Sequence, residues 1–285
     1  MDFTGERFMP ELGYESEMGI EHMQRYLSII DLVRGKVVLD IACGEGYGTH
    51  IISKYAEKVY GMDISKEAID NANNKYVEKN LSFCESSVDS INLNDNSLDV
   101  VVSFETIEHL NEELQEKFML EVKRVLKKEG ILIISSPNKE IYSDKFNYTN
   151  KFHIREFYEH EFSNFLARHF SNVNYSKQCF EVSSLLVGEK PTDVKIIDLE
   201  ADNGLKAKYN IAVCSNITGS EQLITDSIIL NTPYSFIEQM LRIIELQDKT
   251  KELSEWGKDL DKQISIYVDR ISTLNKDCLL YTSDA

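Results

Sequence analysis

Apolar residues occupy the first two thirds of the chain in short runs separated by longer stretches of helical spacing. The run 37–39 (Val37, Val38, Leu39) ends at Asp40, and a loop carrying Gly44, Gly46 and Gly48 leads into a helix-like stretch, 49–56. Further runs follow at 58–62, ending at Asp63, and at 81–84, leading to Ser86, Ser87 and Val88. Another, 98–104, ends at Glu105 with Glu108 and His109 just beyond; the last of this series, 131–135, is followed by Pro137 and Asn138. Residues 112–126 between them have helical spacing, and 127–130 reads as a connection. Short apolar runs alternating with helices predict a parallel sheet covered on both faces. Residues 156–170 form an amphipathic helix whose Phe157, Phe162, Phe165, Leu166 and Phe170 make a structural face. Residues 173–187 and 209–214 read as two more strands, and 188–208 as a polar, acidic excursion at the sheet edge. The expected fold is α/β: a doubly wound, mostly parallel seven-stranded sheet with an antiparallel edge strand.

After Pro233 the period changes. Ile243, Leu246, Thr250, Leu253, Gly257, Leu260, Ile264, Tyr267, Ile271 and Leu274 step by three and four, with charged residues on the flanks. This is a heptad seam with weak positions at Thr250 and Gly257, and predicts a long coiled-coil helix that joins protomers or spaces one domain from another. A long helix folded back on its own domain is the competing reading. The last eight residues, 278–285 (CLLYTSDA), abandon the pattern. They resemble the translated read-through of a sequencing-library adapter, which predicts an artefact there and a natural chain running on past residue 277. The expected organisation is a cap segment at 1–35, a catalytic domain at 36–233 and the helix at 234–277.

The glycine loop is the first candidate site. Its spacing, G-x-G-x-G, differs from the dinucleotide fingerprint, which needs a third glycine where Thr49 stands, and no Gly-Lys-Ser/Thr run follows. Asp63 lies about twenty residues after Gly44, where an acidic group meets ribose hydroxyls in doubly wound folds. A plain reading stands beside each: the glycines as a tight strand-to-helix turn, and Asp63 as a helix cap in competition with Ser65. Cys43 reads as a small filler behind the loop.

The ordered series LDIACGEGYG, GMDIS, LDVVVSFETIEHL and RVLKKEGILIISSPN resembles a class I S-adenosylmethionine-dependent methyltransferase over roughly residues 1–180. The flanking TGERFMPE, EHMQRY and FHIREFYEHEF are similar to methyltransferase domains of bacterial surface-polysaccharide biosynthesis, some of them fused to glycosyltransferases. The resemblance implies a Rossmann-like fold and S-adenosylmethionine as cofactor. It assigns Asp40 to the ligand's amino group and Ala42, Gly44 and Gly46 to backbone contact with the methionine moiety. Asp63 goes to the ribose, Ile64 to the adenine, and Ser87, Val88 and Phe104 to the rest of the cofactor pocket. Relatives often carry an aspartate where Ser87 stands.

Methyl transfer from a sulfonium needs alignment of nucleophile, carbon and sulfur, and an oxygen nucleophile of high pKa needs a base as well. His109 is the candidate base and Glu105 the second catalytic candidate; a histidine bonding a backbone carbonyl is the plain reading of the first. Glu21, His22, Arg25 and Tyr26 share one helical face that could close over the pocket, with Arg7 reaching in. The stretch holding Tyr142, Phe146, Tyr148, Phe152 and His153 suggests a substrate lid. The expected reaction is methylation of an oxygen on a glycan or related small molecule. The alternatives are a quinone or other small-molecule methyltransferase, and a non-catalytic coiled-coil scaffold.

Composition narrows the partners. The net charge is −17 with no basic stripe, against nucleic acid bound through phosphates. The five cysteines lack metal-ligand spacing, so neither a disulfide framework nor a metal is expected. No run is long and apolar enough to span a membrane, and a cytoplasmic location is expected. The coiled coil is expected to bring self-association or a glycosyltransferase partner.

Overall fold

The computed structural model describes residues 16–179, 207–217, 224, 249–268 and 270–271. Arg7 and its segment, residues 180–206, the seam positions Ile243, Leu246 and Leu274, and the ending 278–285 lie outside them. The chain divides into two compact units, Met1–Ile229 and Leu230–Ala285.

The first unit opens with α1 (Glu17–Ser28), capped by the Ser16 hydroxyl accepting from the Gly19 amide, and the short α2 (Ile30–Val33). Then come β1 (Val37–Ile41), α3 (Tyr47–Ser53), β2 (Lys58–Asp63), α4 (Lys66–Lys75), β3 (Leu81–Glu85) and β4 (Leu98–Ser103). A 3-10 turn, Ile107–His109, precedes α5 (Glu112–Val125), β5 (Leu126–Pro137) and α6 (Lys139–Tyr142), and a second, Asp144–Phe146, follows α6. The unit ends with α7 (Glu159–His169), β6 (Asn172–Gln178) and β7 (Tyr209–Ser215).

The seven strands form one sheet, as the apolar runs predict, in the order β3-β2-β1-β4-β5-β7-β6. β1 to β5 are parallel to one another, and β7 runs antiparallel between β5 and β6, one place in from the edge. Chain direction across the sheet reverses between β1 and β4, whose carboxyl ends stand side by side with Asp40 opposite Val102. Such a switch point is where sheets of this kind bind ligands.

Both faces are apolar because both are covered. Leu39, Ile41, Val101, Leu132 and Ile134 pack under Phe118, Met119 and Val122 of α5 and Phe162, Phe165 and Leu166 of α7. Their strand neighbours Val38, Val100, Val102, Ile131 and Ile133 face Tyr26 and Ile29 at α1, Val33 of α2, and Tyr47 and Ile52 of α3.

The strand expected at 173–187 is Asn172–Gln178, with 180–187 outside the described residues, and two other boundaries differ for identifiable reasons. Residues 127–130 are part of β5 rather than a connection: the β4–β5 register jumps between Leu98 and Val100, and Lys127 bonds Asp99 at 2.8 Å across the bulge. α7 begins at Glu159 rather than at residue 156, because Phe157 is held extended in a bridge to Asn138. In the second unit a helix, α8, spans 249–268. Its seam residues Leu253, Leu260, Ile264 and Tyr267 are exposed, as is Trp256.

Candidate active site

The loop after β1 turns through a left-handed backbone at Ala42 (φ 61°), Gly44 (φ 53°) and Gly46 (φ 74°), a conformation that glycine adopts without strain. A side chain at Gly44 would meet nothing within 4 Å, so that face of the loop is open to a ligand. Gly46 and Gly48 are small for packing reasons. A Cβ at Gly46 would lie 2.6 Å from the Phe83 ring, and one at Gly48 only 2.0 Å from the Tyr26 ring.

Asp63, at the end of β2, ties the two loops together. One carboxylate oxygen accepts from the Gly44 amide at 2.9 Å and the other from the Ser65 amide at 2.8 Å. The cap of α4 is Ser65, whose hydroxyl accepts from the Ala68 amide, so Asp63 is not used for capping. Ile64 beside it is 70% exposed, an apolar surface standing at the crevice.

Asp40 is buried beneath the glycine loop. It accepts from the Thr49 hydroxyl at 2.6 Å and lies 3.4 Å from the Tyr26 hydroxyl. Burial pushes its pKa up to about 7, against the lowering effect of those two hydroxyls. It has no cationic side chain beside it among the described residues. The ammonium end of an amino-acid ligand fits that gap. Cys43 is a buried filler, packed with Ile69, Ala72 and Phe83; burial and the carboxylates of Asp40 and Asp63 push its thiol up, away from reactivity.

The rest of the expected pocket is less direct. The Ser87 hydroxyl donates to Asp89 at 2.5 Å, Val88 packs against the core, and Phe104 is buried edge-on to Tyr26 at 5.1 Å.

On α1, Glu21, Arg25 and Tyr26 are buried and His22 is half-buried. Arg25 is 1% exposed, donates to Gln178 at 2.6 Å and lies over the Tyr209 ring at 4.7 Å. Its Nε and Nη2 have no hydrogen-bond partner among the described residues. Glu21 accepts from Lys208 at 2.9 Å, and the His22 Nδ1 is 2.5 Å from the Tyr47 hydroxyl. Burial, with Arg25 and Lys208 nearby, lowers the pKa of His22 well below its usual value, keeping the ring neutral. Sequence reasoning did not single out Tyr47, Gln178, Ser135 or Tyr209. Ser135 alone carried a signal, as a polar residue at the end of a strand.

Beyond β4, Glu105 has a left-handed backbone (φ 52°) and accepts from the Ser135 hydroxyl at 2.5 Å. A non-glycine residue held there is strained, and such positions gather at functional sites. His109 Nδ1 faces the Phe152 carbonyl at 3.0 Å, so Nδ1 carries the proton and Nε2 the lone pair. The ring thus makes the carbonyl contact of the plain reading while keeping a basic nitrogen, 3.9 Å from Glu108. His153 packs edge-on to His109 at 5.0 Å and stacks on Tyr142 at 5.4 Å. Tyr142 also lies against Tyr148 and Tyr209. The structure therefore brings His109, His153 and the aromatic stretch together beside Glu105 and Glu108.

Residues 39–134 match the methyltransferase domain family. A probable S-adenosylmethionine-dependent methyltransferase of Mycobacterium tuberculosis is 32% identical over 167 residues, 58% of this chain and 60% of that protein. A ubiquinone biosynthesis O-methyltransferase of Haemophilus ducreyi is 28% identical over 114 residues, 38% of this chain and 48% of that protein. The solved structure of a protein from Pyrococcus horikoshii OT3 superposes with a TM-score of 0.54 at 18% identity, covering 76% of this chain and all of that one. Residues 39–134 thus resemble a methyltransferase domain, and the overall α/β fold is shared with the Pyrococcus horikoshii protein. The chain spans about 60% of the length of the mycobacterial relative.

Proposed function

We propose that this chain transfers a methyl group from S-adenosylmethionine to an oxygen of a glycan or related small molecule. The observation that carries the reading is the juxtaposition of Asp40, the open face of Gly44 and Asp63 at the switch point of the sheet. A scaffold has no use for that arrangement. Asp40 would hold the ligand's ammonium, the loop backbone its methionine moiety, Asp63 the ribose hydroxyls and Ile64 the adenine. S-adenosylmethionine, when bound, supplies a methyl group already activated on a sulfonium.

The chain's own task is then to place an acceptor oxygen in line and remove its proton. His109 Nε2 is the basic nitrogen at the mouth of β4, and Glu105 is a second polar contact held by Ser135. Arg25 favours an oxygen-rich acceptor, because its two buried N–H edges lack partners among the described residues. The rings of Tyr142, Tyr148 and Tyr209 suit the faces of a sugar. A quinone-like acceptor is the second reading, favoured by the likeness to the Haemophilus ducreyi enzyme and by the same rings.

The test is transfer of a labelled methyl group to a panel of nucleotide sugars, lipid-linked glycans and phenolic quinone precursors. With the acceptor so found, His109→Ala should bind S-adenosylmethionine as the wild type does and turn over about 100- to 10,000-fold more slowly. Unchanged turnover in that variant removes His109 from the mechanism.

A further inference from the structure

We infer that Glu108, His109 and His153 form a binding site for a divalent transition cation. One ligand atom from each lies within 4.8 Å of the others, and Glu108 Oε1 is 3.9 Å from His109 Nε2. Atoms sharing one ion at about 2.1 Å each stand no more than about 4.2 Å apart, so closure needs side-chain shifts of roughly an ångström. His109 and His153 come from segments 44 positions apart in the chain, which is why spacing gave no sign of the site. The backbone joins them: the Glu108 carbonyl accepts from the amides of Ile154 and Arg155, fixing the lid stretch beside the 3-10 turn.

Two further observations point to a cation. Glu108 is fully buried, and neither of its carboxylate oxygens has a hydrogen-bond partner among the described residues. A buried carboxylate in that condition needs a proton or a positive charge. Both imidazoles are also held from behind. His109 Nδ1 donates to the Phe152 carbonyl at 3.0 Å, and His153 Nδ1 to Glu156 at 2.5 Å, with Glu156 itself accepting from Ser143 at 2.6 Å. Such outer bonds fix the tautomer that presents Nε2 to a metal and raise its basicity. The Asn150 amide now donates to His153 Nε2 at 3.0 Å and must swing aside for an ion to enter.

Two imidazoles and one carboxylate suit Mn2+, Fe2+, Co2+ or Zn2+ and leave coordination positions for an acceptor oxygen. An acceptor hydroxyl on the ion would ionise at neutral pH, its proton passing to solvent water, while His109 serves as ligand rather than base. Slow turnover in His109→Ala is expected on either route, so the decisive readout is metal binding without any methyl donor.

The experiment uses the full chain, stripped with a chelator and titrated with Mn2+ by electron paramagnetic resonance, with Co2+ as an optical probe. One saturable Mn2+ per chain is expected. Glu108→Gln, which keeps the side-chain volume, should lower the affinity at least tenfold while leaving the metal-free thermal midpoint intact. Glu156→Gln should weaken binding by about 10- to 100-fold through His153, and reads the site independently if the first variant folds poorly. Absence of a saturable site in the folded protein overturns the inference, as does Mn2+ binding unchanged in both variants.

Discussion

At the residue scale, Asp40 shows how burial converts a sequence signal into a titratable one. A carboxyl 1% exposed, with hydroxyl donors from Thr49 and Tyr26, keeps its proton to about pH 7 when folded and to about pH 4 when unfolded. The folded state therefore binds the extra proton between those values, and ionisation costs folding stability as pH rises through them. Asp40→Asn removes that dependence. Chemical denaturation from pH 4 to 8 should show the variant gaining on the wild type by a few kcal/mol up to about pH 7, then no further. A constant difference over that range contradicts the burial argument. Asp40, Asp63 and Gly44 were legible because each is named by position relative to a strand end. Arg25 and Glu108 were visible as residues but not as buried groups with polar atoms unpartnered among the described residues, since that depends on Tyr209, Gln178 and the lid stretch, all distant in sequence.

At the element scale, α1 is held to the glycine loop through Gly48. Within α3 an alanine would ordinarily be favoured over glycine by about 1 kcal/mol. Here its Cβ would meet the buried Tyr26 ring at 2.0 Å, so steric crowding outweighs propensity. Gly48→Ala should destabilise the fold by about 1–3 kcal/mol, read by urea denaturation. A stabilised variant would show that α1 is not packed against the loop. The central strands β1, β4, β5 and β7 were legible from apolar runs because they are covered on both faces, whereas the edge strand expected at 173–187 ends at Gln178. The bulge at 127–130 was not legible, because three charged residues and a glycine give no strand pattern; that segment is placed by Asp99 and by β4. The late start of α7 follows from the Asn138–Phe157 bridge, again a contact across the sequence.

At the scale of the whole molecule, two units carry different kinds of information. The first holds a seven-stranded α/β sheet with a crevice at its switch point, and the second contains a helix on which Leu253, Leu260, Ile264 and Tyr267 are exposed. None of the described helices is long and apolar enough to cross a membrane. The −17 charge leaves a small, neutral or cation-bearing ligand as the natural partner of the crevice. The central claim is that this crevice is built for S-adenosylmethionine and not for a dinucleotide. Calorimetric titration of the full chain with S-adenosylmethionine, with NAD as the control ligand, tests it most directly. One saturable site for S-adenosylmethionine, no heat of binding from NAD, and loss of most of the affinity in Asp63→Ala are predicted. Saturable NAD binding, no binding of S-adenosylmethionine by the folded protein, or full affinity in Asp63→Ala would contradict it.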